Sequence, residues 1–244
     1  MLRYFHPDSP LQLLAALILS GSALYLLLSA ASYYYFFVWQ RRRYHPGFVP
    51  DWKENRRAIR LSLWDVTGQA AMTVPFQYLL VKGYGHIYLD VHRYGWPYFF
   101  FSILLVLFFS ETGVYWVHRW LHKPLPYRLF HGQHHSFRIA NSWVSFAFHP
   151  FDAFIQALPQ HLCALLFPVH IVVYLGFLFA ISVWSVIIHD RVTFFRWKYL
   201  NNTGHHTVHH WFNKYNFGQF LNIWDRIGGT WRSEASLPEK LNHL

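Results

Sequence analysis

The sequence predicts an all-α integral membrane protein with about four transmembrane helices and a cytosolic, histidine-rich helical cap. Two observations lead to this fold class: long runs without charge, and histidine clusters that follow the ends of such runs. Only 13% of the 244 residues are charged and 54% are hydrophobic, whereas about 25% of the residues in an average soluble domain are charged. No internal repeat divides the chain, so we expect a single membrane-embedded domain over residues 1–244.

Three long runs of the chain are nearly free of charge. Residues 11–39 contain no charged side chain, residues 96–117 contain only Glu111, and residues 153–188 contain none. The first two runs exceed the roughly 18 residues that indicate a transmembrane helix, and the third is long enough for a hairpin of two short helices turning at Pro168. We interpret the first run as a retained span, because it is too long for the apolar part of a signal peptide.

Residues 61–81 predict a weaker span, because Asp65, Gly68 and Pro75 interrupt it. Basic residues then orient the spans. Arg41, Arg42 and Arg43 directly follow the first run, and cytosolic loops carry an excess of Lys and Arg. With these arginines in the cytosol, all the histidine clusters fall on the cytosolic face. Only three of the 21 basic residues then lie outside, namely Arg3, Lys82 and Arg93.

The net charge of +10 does not indicate nucleic-acid binding. The basic residues cluster beside the predicted spans, and those that follow the arginine triplet are Lys53, Arg56, Arg57 and Arg60. Such clusters fix orientation and attract anionic lipid headgroups, and no aromatic-and-basic module of the nucleic-acid-binding kind is recognisable. The one cysteine, Cys163, excludes a disulfide framework. We therefore expect membrane lipid, and no nucleic acid, as a partner.

Three histidine clusters have the spacing of helix faces. They are His118 and His122; His131, His134 and His135; and His206, His209 and His210. Because a helix advances about 100° per residue, positions i, i+3 and i+4 are expected to share a face. Neutral imidazole is the commonest side-chain ligand of transition metals, and eight rings are more than one ion can use. The clusters therefore predict a two-metal site at one membrane surface.

The residues alone leave the identity of the metal open. The chain has neither the Cys₄ or Cys₂His₂ pattern of a structural zinc site nor the HExxH motif of a zinc protease. Imidazole suits zinc, copper, iron and nickel alike. An all-nitrogen ligand set beside a lipid cavity favours iron and O₂ chemistry, while the spacing does not exclude zinc.

Further side chains are candidates for the surroundings of this site. His189 follows the last predicted span and is expected to complete the ligand set. The outer N–H groups of ligand rings need acceptors, and Asp190 and Asp225 are the carboxylates expected to provide them.

Glu111 is expected on the same helix face as His118, where it would bond a ligand histidine or a substrate hydroxyl; the alternative is a structural carboxyl. His149 is a candidate ligand or helix-end residue, and His205 is a further candidate ligand. The remaining histidines are expected to be ordinary surface or interface residues, namely His6, His45, His86, His92, His161, His170 and His243.

The clusters lie within longer motifs. Residues 115–122 read YWVHRWLH, residues 147–152 read AFHPFD, residues 156–159 read QALP, and residues 188–190 read IHD. Residues 205–210 read HHTVHH, and the tail continues with YNFGQF at 215–220 and WDRIGGT at 224–230. Together these motifs, from about residue 109 to 231, resemble those of the fatty acid hydroxylase and sterol desaturase superfamily. They are most similar to the sterol C-5 desaturases within it.

The resemblance implies a non-haem di-iron oxidoreductase that uses O₂ to introduce a C5–C6 double bond into a Δ7-sterol, as a step of sterol biosynthesis. It carries the eight clustered histidines over as iron ligands and implies no catalytic residue beyond the metal ligands. It also implies a fatty acid hydroxylase-like core at about 97–232. The chain departs from some superfamily members at Thr193, where they have a second histidine four residues after the position of His189.

The resemblance further implies electrons from cytochrome b5, a reductase or a ferredoxin. It implies a multi-pass location in the endoplasmic reticulum membrane of a eukaryote or the inner membrane of a bacterium. One alternative is a hydroxylase of the same superfamily acting on a fatty acyl, sphingolipid or carotenoid chain, with an alcohol as its product. Another is a non-enzymatic membrane metal carrier, although carriers place their ligands at mid-membrane and these histidines are predicted beyond the span ends. A lipid-surface scaffold would explain the arginines and leave the histidines without a role.

Overall fold

The computed structural model describes residues 9–237, so the predictions for Arg3, His6 and His243 lie outside the described residues. Within this range the chain forms ten α-helices in the order α1 (Pro10–Tyr33), α2 (Arg41–Tyr44), α3 (Trp52–Val81), α4 (Gly95–Leu121), α5 (Pro124–Pro126), α6 (Gly132–His135), α7 (Pro150–Leu166), α8 (Ile171–His189), α9 (Thr203–Phe212) and α10 (Ile223–Ile227). Tyr34–Trp39 and Tyr127–His131 are π-helical, and Val91–Arg93, Ser142–Phe146 and Glu234–Ser236 are 3₁₀-helical. Strands β1 (Ile87–Tyr88) and β2 (Val169–His170) form one short parallel pair.

Three helices in the described range are long and apolar enough to cross a membrane, namely Pro10–Trp39, Gly95–Leu121 and Ile171–His189. The predicted span at residues 61–81 is helical within α3, and the first half of the predicted hairpin is α7, but neither belongs to this set. α3 places Asp65, Gln69 and Gln77 among its apolar residues, and α7 is only 17 residues long. The predicted all-α membrane protein is confirmed, with three spanning candidates where about four were expected.

Helix α4 shows how the spanning helices divide between lipid and protein. Phe100, Leu104 and Phe108 recur every fourth residue and are 59%, 63% and 61% exposed. Val106 and Val114, on the other face, are buried. Residues four apart share one face of a helix, so α4 turns an aromatic and leucine strip outward and a smaller-residue strip toward the bundle. An outward apolar strip of this kind suits contact with lipid chains.

Helix α7 packs between α3 and α4. At the α4 contact, Gly113 lies against the ring of Pro159, and a Cβ at Gly113 would collide with that ring. α7 ends at Leu166 and α8 begins at Ile171, so the hairpin turns at Pro168 as predicted. The short β1–β2 pair ties this turn to the loop before α4.

Three histidines that were predicted to be ordinary surface or interface residues are buried: His45, His161 and His170. His45 and His170 donate ring N–H groups to backbone carbonyls at 2.9 Å, and the His161 ring hydrogen-bonds the Tyr174 hydroxyl at 2.7 Å. Long-range partners satisfy these rings inside the bundle, and histidine spacing along the chain carries no signal for such partners.

Candidate metal centre

The structure gathers nine histidines at one end of the bundle, and they form two groups. The first group is His118, His122, His131, His135 and His209, and the second group is His134, His189, His206 and His210. Within each group, one ring nitrogen from every residue lies within 4.8 Å of the others. These nine residues are the eight clustered histidines of the sequence together with His189.

Helix ends bring these residues together. His118 lies in the last turn of α4 and His189 is the last residue of α8, so the two helices end at the same site. His131 is the last residue of the π-helical turn, and α6, which follows it, contains His134 and His135. α9 contains the third cluster. The three clusters therefore converge although about 70 residues separate the second from the third in sequence.

Each three-histidine cluster is divided between the groups, which corrects the expectation that its rings share one face. His131 and His135, four residues apart, belong to the first group, whereas His134 belongs to the second. In α9, His206 and His210 belong to the second group and His209 to the first. Adjacent residues on a helix point about 100° apart, so the middle histidine of each cluster reaches the other group. Each cluster thus links both groups.

Backbone carbonyls hold three of the rings in one tautomer. His118, His209 and His189 donate Nδ1–H to the carbonyl oxygens of Phe217 at 2.9 Å, Tyr215 at 2.7 Å and Ser185 at 2.6 Å, respectively. A carbonyl oxygen can only accept a hydrogen bond, so Nδ1 carries the proton and Nε2 keeps its lone pair. Each of these Nε2 atoms points into the site as a potential metal ligand.

A carboxylate orients a fourth ring. His131 Nδ1 lies 2.6 Å from Asp152 Oδ2, and both side chains are fully buried. Gln156 donates to the other carboxylate oxygen at 2.7 Å. Asp152 was not among the residues with a predicted role, although an aspartate in the first turn of an otherwise apolar helix is a signal that could have found it.

The facing ring nitrogens are the strongest indication of a bound cation. His118 Nε2 lies 3.1 Å from His131 Nε2, which in turn lies 3.0 Å from His135 Nε2. Since His118 and His131 both direct Nδ1 outward to acceptors, their Nε2 lone pairs face each other with no proton between them. Two imidazoles bound at right angles to one metal, at about 2.1 Å each, would place their nitrogens about 3 Å apart. The first group therefore fits a metal ion.

The second group repeats this geometry. His189 Nε2 lies 3.0 Å from His206 Nε2, and His206 Nε2 lies 3.1 Å from His210 Nε2. His134 Nε2 approaches His189 Nε2 at 3.5 Å. Because the Ser185 carbonyl fixes the proton of His189 on Nδ1, the Nε2 lone pair of His189 points at the His206 ring.

Burial favours the neutral form of five imidazoles of the site. Burial, followed by the neighbouring imidazoles, holds the pKa of five rings well below the usual value of histidine; these rings are His134, His135, His206, His209 and His210. A metal competes with protons for the same nitrogens. The lowered pKa values mean that no proton has to leave these rings at neutral pH before a metal binds.

Two of the predicted carboxylates have other partners. Glu111 accepts hydrogen bonds from the backbone N–H groups of Phe220 at 2.9 Å and Leu221 at 2.8 Å. These bonds connect the segment between α9 and α10 to α4. Asp190 Oδ1 accepts from Val192 N–H at 2.9 Å. Within residues 9–237, neither carboxylate bonds one of the nine rings. Asp190 therefore does not accept from a ligand ring as expected, and Glu111 has the structural role that was the alternative.

Asp225 acts on a ligand ring only through the backbone. Its carboxylate accepts from the N–H of Phe217 at 2.8 Å and of Gly218 at 2.9 Å, and from the Thr230 hydroxyl at 2.7 Å. Phe217 is the residue whose carbonyl holds His118. Asp225 therefore positions the carbonyl that orients His118, instead of accepting from the ring itself.

His149 and His205 lie outside both groups and cap helices. The Nδ1 of His149 accepts from Phe151 N–H at 3.2 Å at the start of α7. His205 and Asn202 form a reciprocal capping box at the start of α9, in which each side chain accepts from the other residue's backbone N–H. Such boxes satisfy the free N–H groups of a first helical turn. His205 therefore caps the helix that carries the third cluster, and His149 caps the helix that carries Asp152.

Two cavities adjoin the site. The membrane cavity, of about 450 Å³, lies between α1, α3, α7 and α8, and Asp65, Phe148 and Ser185 are among its lining residues. Phe148 also stacks on His134 with ring centroids 4.0 Å apart. The polar cavity, of about 440 Å³, reaches the second group from the other side; its lining residues include Arg138, Arg191, Thr193, Arg196, His206 and His210. Glu234 lines the polar cavity as well and pairs with Arg196 at 3.2 Å. The site therefore lies between an apolar cavity and one that carries charged side chains.

The sequence matches known proteins over the same region. The model of the fatty acid hydroxylase family matches residues 103–230. Lathosterol oxidase of Mus musculus is 37% identical over 204 residues, which cover 82% of this chain and 68% of that protein. Lathosterol oxidase of Homo sapiens is 37% identical over 203 residues, covering 80% of this chain and 67% of that protein.

A fungal relative gives a similar result. Delta(7)-sterol 5(6)-desaturase of Eremothecium gossypii is 37% identical over 190 residues, covering 77% of this chain and 54% of that protein. No solved structure matches the chain. The matched residues include all nine histidines of the two groups, and on this evidence the chain belongs to the fatty acid hydroxylase family.

Proposed function

We propose that this membrane protein is a di-iron oxidase that introduces the C5–C6 double bond into a Δ7-sterol during sterol biosynthesis. The names of the relatives support this reaction, since they are lathosterol oxidases and a Delta(7)-sterol 5(6)-desaturase. The observation that carries the proposal is the pair of converging histidine groups at the end of an apolar cavity.

The reaction balances with one O₂ and one external electron pair. Removing one hydrogen from C5 and one from C6 forms the double bond and releases two electrons and two protons. Reducing O₂ to two waters takes four electrons and four protons. The donor therefore supplies two electrons, and the solvent supplies two protons.

The two histidine groups would each hold one iron ion, with His118, His122, His131, His135 and His209 around one and His134, His189, His206 and His210 around the other. Bound iron would supply the activation of O₂ and the removal of hydrogen from an unactivated carbon. The protein holds the ring nitrogens in their ligand tautomer. Asp152 accepts from His131 and makes that imidazole a stronger donor to a metal.

The membrane cavity would hold the sterol. Its volume of about 450 Å³ lies within the roughly 300–1,000 Å³ that is typical of small-molecule sites. Most of its lining is apolar, which suits a fused-ring hydrocarbon and excludes water from the reacting carbons. Because α1 and α8, two of the spanning candidates, flank the cavity, a lipid substrate would reach it from the bilayer.

The polar cavity would face the electron donor. Its lining near His206 and His210 holds three arginines and one acidic residue, Glu234, and this excess of positive charge would steer an acidic partner such as cytochrome b5 toward it. A reductase or a ferredoxin could use the same surface. The arginines at 41–43 favour a cytosolic position for this face, in the endoplasmic reticulum of a eukaryote or the inner membrane of a bacterium.

Expression in a yeast strain that lacks sterol C-5 desaturation tests the reaction. We expect 5,7-diene sterols by mass spectrometry, and none with an equally abundant His118→Ala variant. Sterol alcohols instead of dienes would indicate the hydroxylase alternative. Bound metal without sterol-dependent O₂ consumption would contradict oxidase activity and favour a metal carrier.

A further inference from the structure

Asp65 is a buried carboxyl group at the wall of the membrane cavity. It is 1% exposed, and its Oδ1 has no hydrogen-bond partner among the residues that the structure describes. Burying a polar oxygen without a partner destabilises a folded protein, so such an atom calls for an explanation. A ligand bound in the cavity would provide this partner, because Asp65 belongs to the lining of that cavity.

Asp65 lies at the end of the cavity nearest the histidines. One turn further along α3, Gly68 packs against the ring of Pro150, the first residue of α7; a Cβ at Gly68 would lie 2.6 Å from that ring. Two residues beyond Pro150, Asp152 holds His131 of the first group. Asp65 is therefore level with the turn of α7 that orients a candidate metal ligand.

The polar groups at the opposite end of the cavity are already paired. Gln77 donates to the Tyr174 hydroxyl at 2.7 Å, and His161 hydrogen-bonds the same hydroxyl at 2.7 Å. Twelve residues of α3 separate Gln77 from Asp65, which corresponds to about 18 Å along a helix. The carboxyl that lacks a partner thus lies at the histidine end, where chemistry is proposed, and not at the remote end.

We propose that Asp65 binds the 3-hydroxyl group of the sterol and so sets which carbon–carbon bond faces the histidine groups. This inference rests on the proposed function. In a sterol, C3 is two bonds from C5, so a hydrogen bond at the hydroxyl fixes the position of C5 and C6. A carboxyl can do this in either protonation state, because it accepts when ionised and both donates and accepts when neutral.

The surroundings of Asp65 favour recognition over a structural role. Gln69, Gln156 and Gln160 also line the cavity, and each side-chain amide is hydrogen-bonded within the protein. An apolar pocket with a few free polar groups uses those groups to orient its ligand. A site built to hydrogen-bond a hydroxyl also discriminates strongly against an analogue that lacks it.

The test compares a Δ7-sterol with its 3-deoxy counterpart on the full-length protein in lipid nanodiscs. The variants are Asp65→Leu, which removes the polar group, and Asp65→Asn, which keeps hydrogen-bonding capacity. Thr73→Val is the matched control, since Thr73 lies two turns away on the same helix and lines the same cavity. Binding is measured by sterol displacement, and product is measured separately by mass spectrometry.

We expect the wild type to bind the 3-hydroxy sterol about tenfold or more tightly than the 3-deoxy sterol. Asp65→Leu should lose this preference while binding the 3-deoxy sterol as the wild type does, which also shows that the variant is folded. Asp65→Asn should keep part of the preference, and Thr73→Val should keep all of it.

The inference is wrong if Asp65→Leu still prefers the 3-hydroxy sterol to the 3-deoxy sterol. It is also wrong if Thr73→Val loses this preference to the same extent as Asp65→Leu. The proposed function fails in a different way. If the wild type binds the hydroxyl through Asp65 but forms no diene with a competent electron donor, recognition of a hydroxylated lipid stands and the desaturase assignment falls.

Discussion

The two histidine groups differ in what surrounds them. In the first group, Asp152 and the tail carbonyls of Phe217 and Tyr215 hold three of the five rings, and none of the five lines either of the two cavities described above. In the second group, one carbonyl holds His189, while His206 and His210 line the polar cavity. Buried hydrogen-bond acceptors thus hold most rings of the first group, whereas a cavity reaches two rings of the second, although all four rings of the second group are buried.

The largest expected effect follows from removing a ring of the first group. His118→Ala should reduce desaturation below detection, because the protein offers no replacement for a ring held by the Phe217 carbonyl and facing His131. Sterol products by mass spectrometry and protein abundance in membranes are the measurements. His86→Ala, at an exposed histidine, is the matched control and should behave as the wild type.

A variant of Asp152 tests the hydrogen bond that holds a ring of the first group. Asp152→Ala should lower activity or metal affinity by about 10- to 100-fold, because the buried acceptor of His131 is lost. Asp190→Asn serves as the comparison, since the Asp190 carboxylate bonds only a backbone N–H among the contacts described. Equal losses in the two variants would contradict the role assigned to Asp152.

Metal release tests the difference in access between the groups. A chelator added to the iron-loaded protein should remove the ion of the second group severalfold faster than that of the first, because the polar cavity reaches His206 and His210. Iron content is followed over time after removal of the chelator. A single release rate for both ions would argue against this difference in access.

Acid should destabilise the metal-free protein. Folding lowers the pKa of His134, His135, His206, His209 and His210. Below the unfolded value of about 6.5 the unfolded chain therefore binds more protons than the folded one. The stability contribution is complete above about pH 6.5 and is lost as the pH falls toward the lowered values. Thermal unfolding from pH 7.5 to 5 should show a falling Tm; a flat profile would mean that the rings are charged when folded.

The smallest effect is expected outside both groups. Asp65→Leu should raise the free energy of unfolding by on the order of 1 kcal/mol, because it removes a buried oxygen that has no partner in residues 9–237. Thermal unfolding with no sterol present is the measurement. A lower Tm would indicate that the carboxyl has a structural partner, and would separate a stability role from recognition.

Spacing along the chain predicted a large part of this protein. Uncharged runs located α1, α4 and the α7–α8 hairpin, and the turn at Pro168 followed from one proline. Histidine spacing identified the rings that the structure brings together, including His189 from its place after the last span. These features depend on local periodicity and on membrane thickness, and a single sequence carries both.

The partners of those rings required the folded chain. His131 meets Asp152, and His118 meets the carbonyl of Phe217, 99 positions away in sequence. Spacing predicted that each cluster shares one face, yet His134 and His209 cross to the opposite group because four separate helices converge on them. Periodicity specifies direction around one helix axis, whereas grouping and hydrogen-bond acceptors depend on how several axes pack, and that is a property of the tertiary structure.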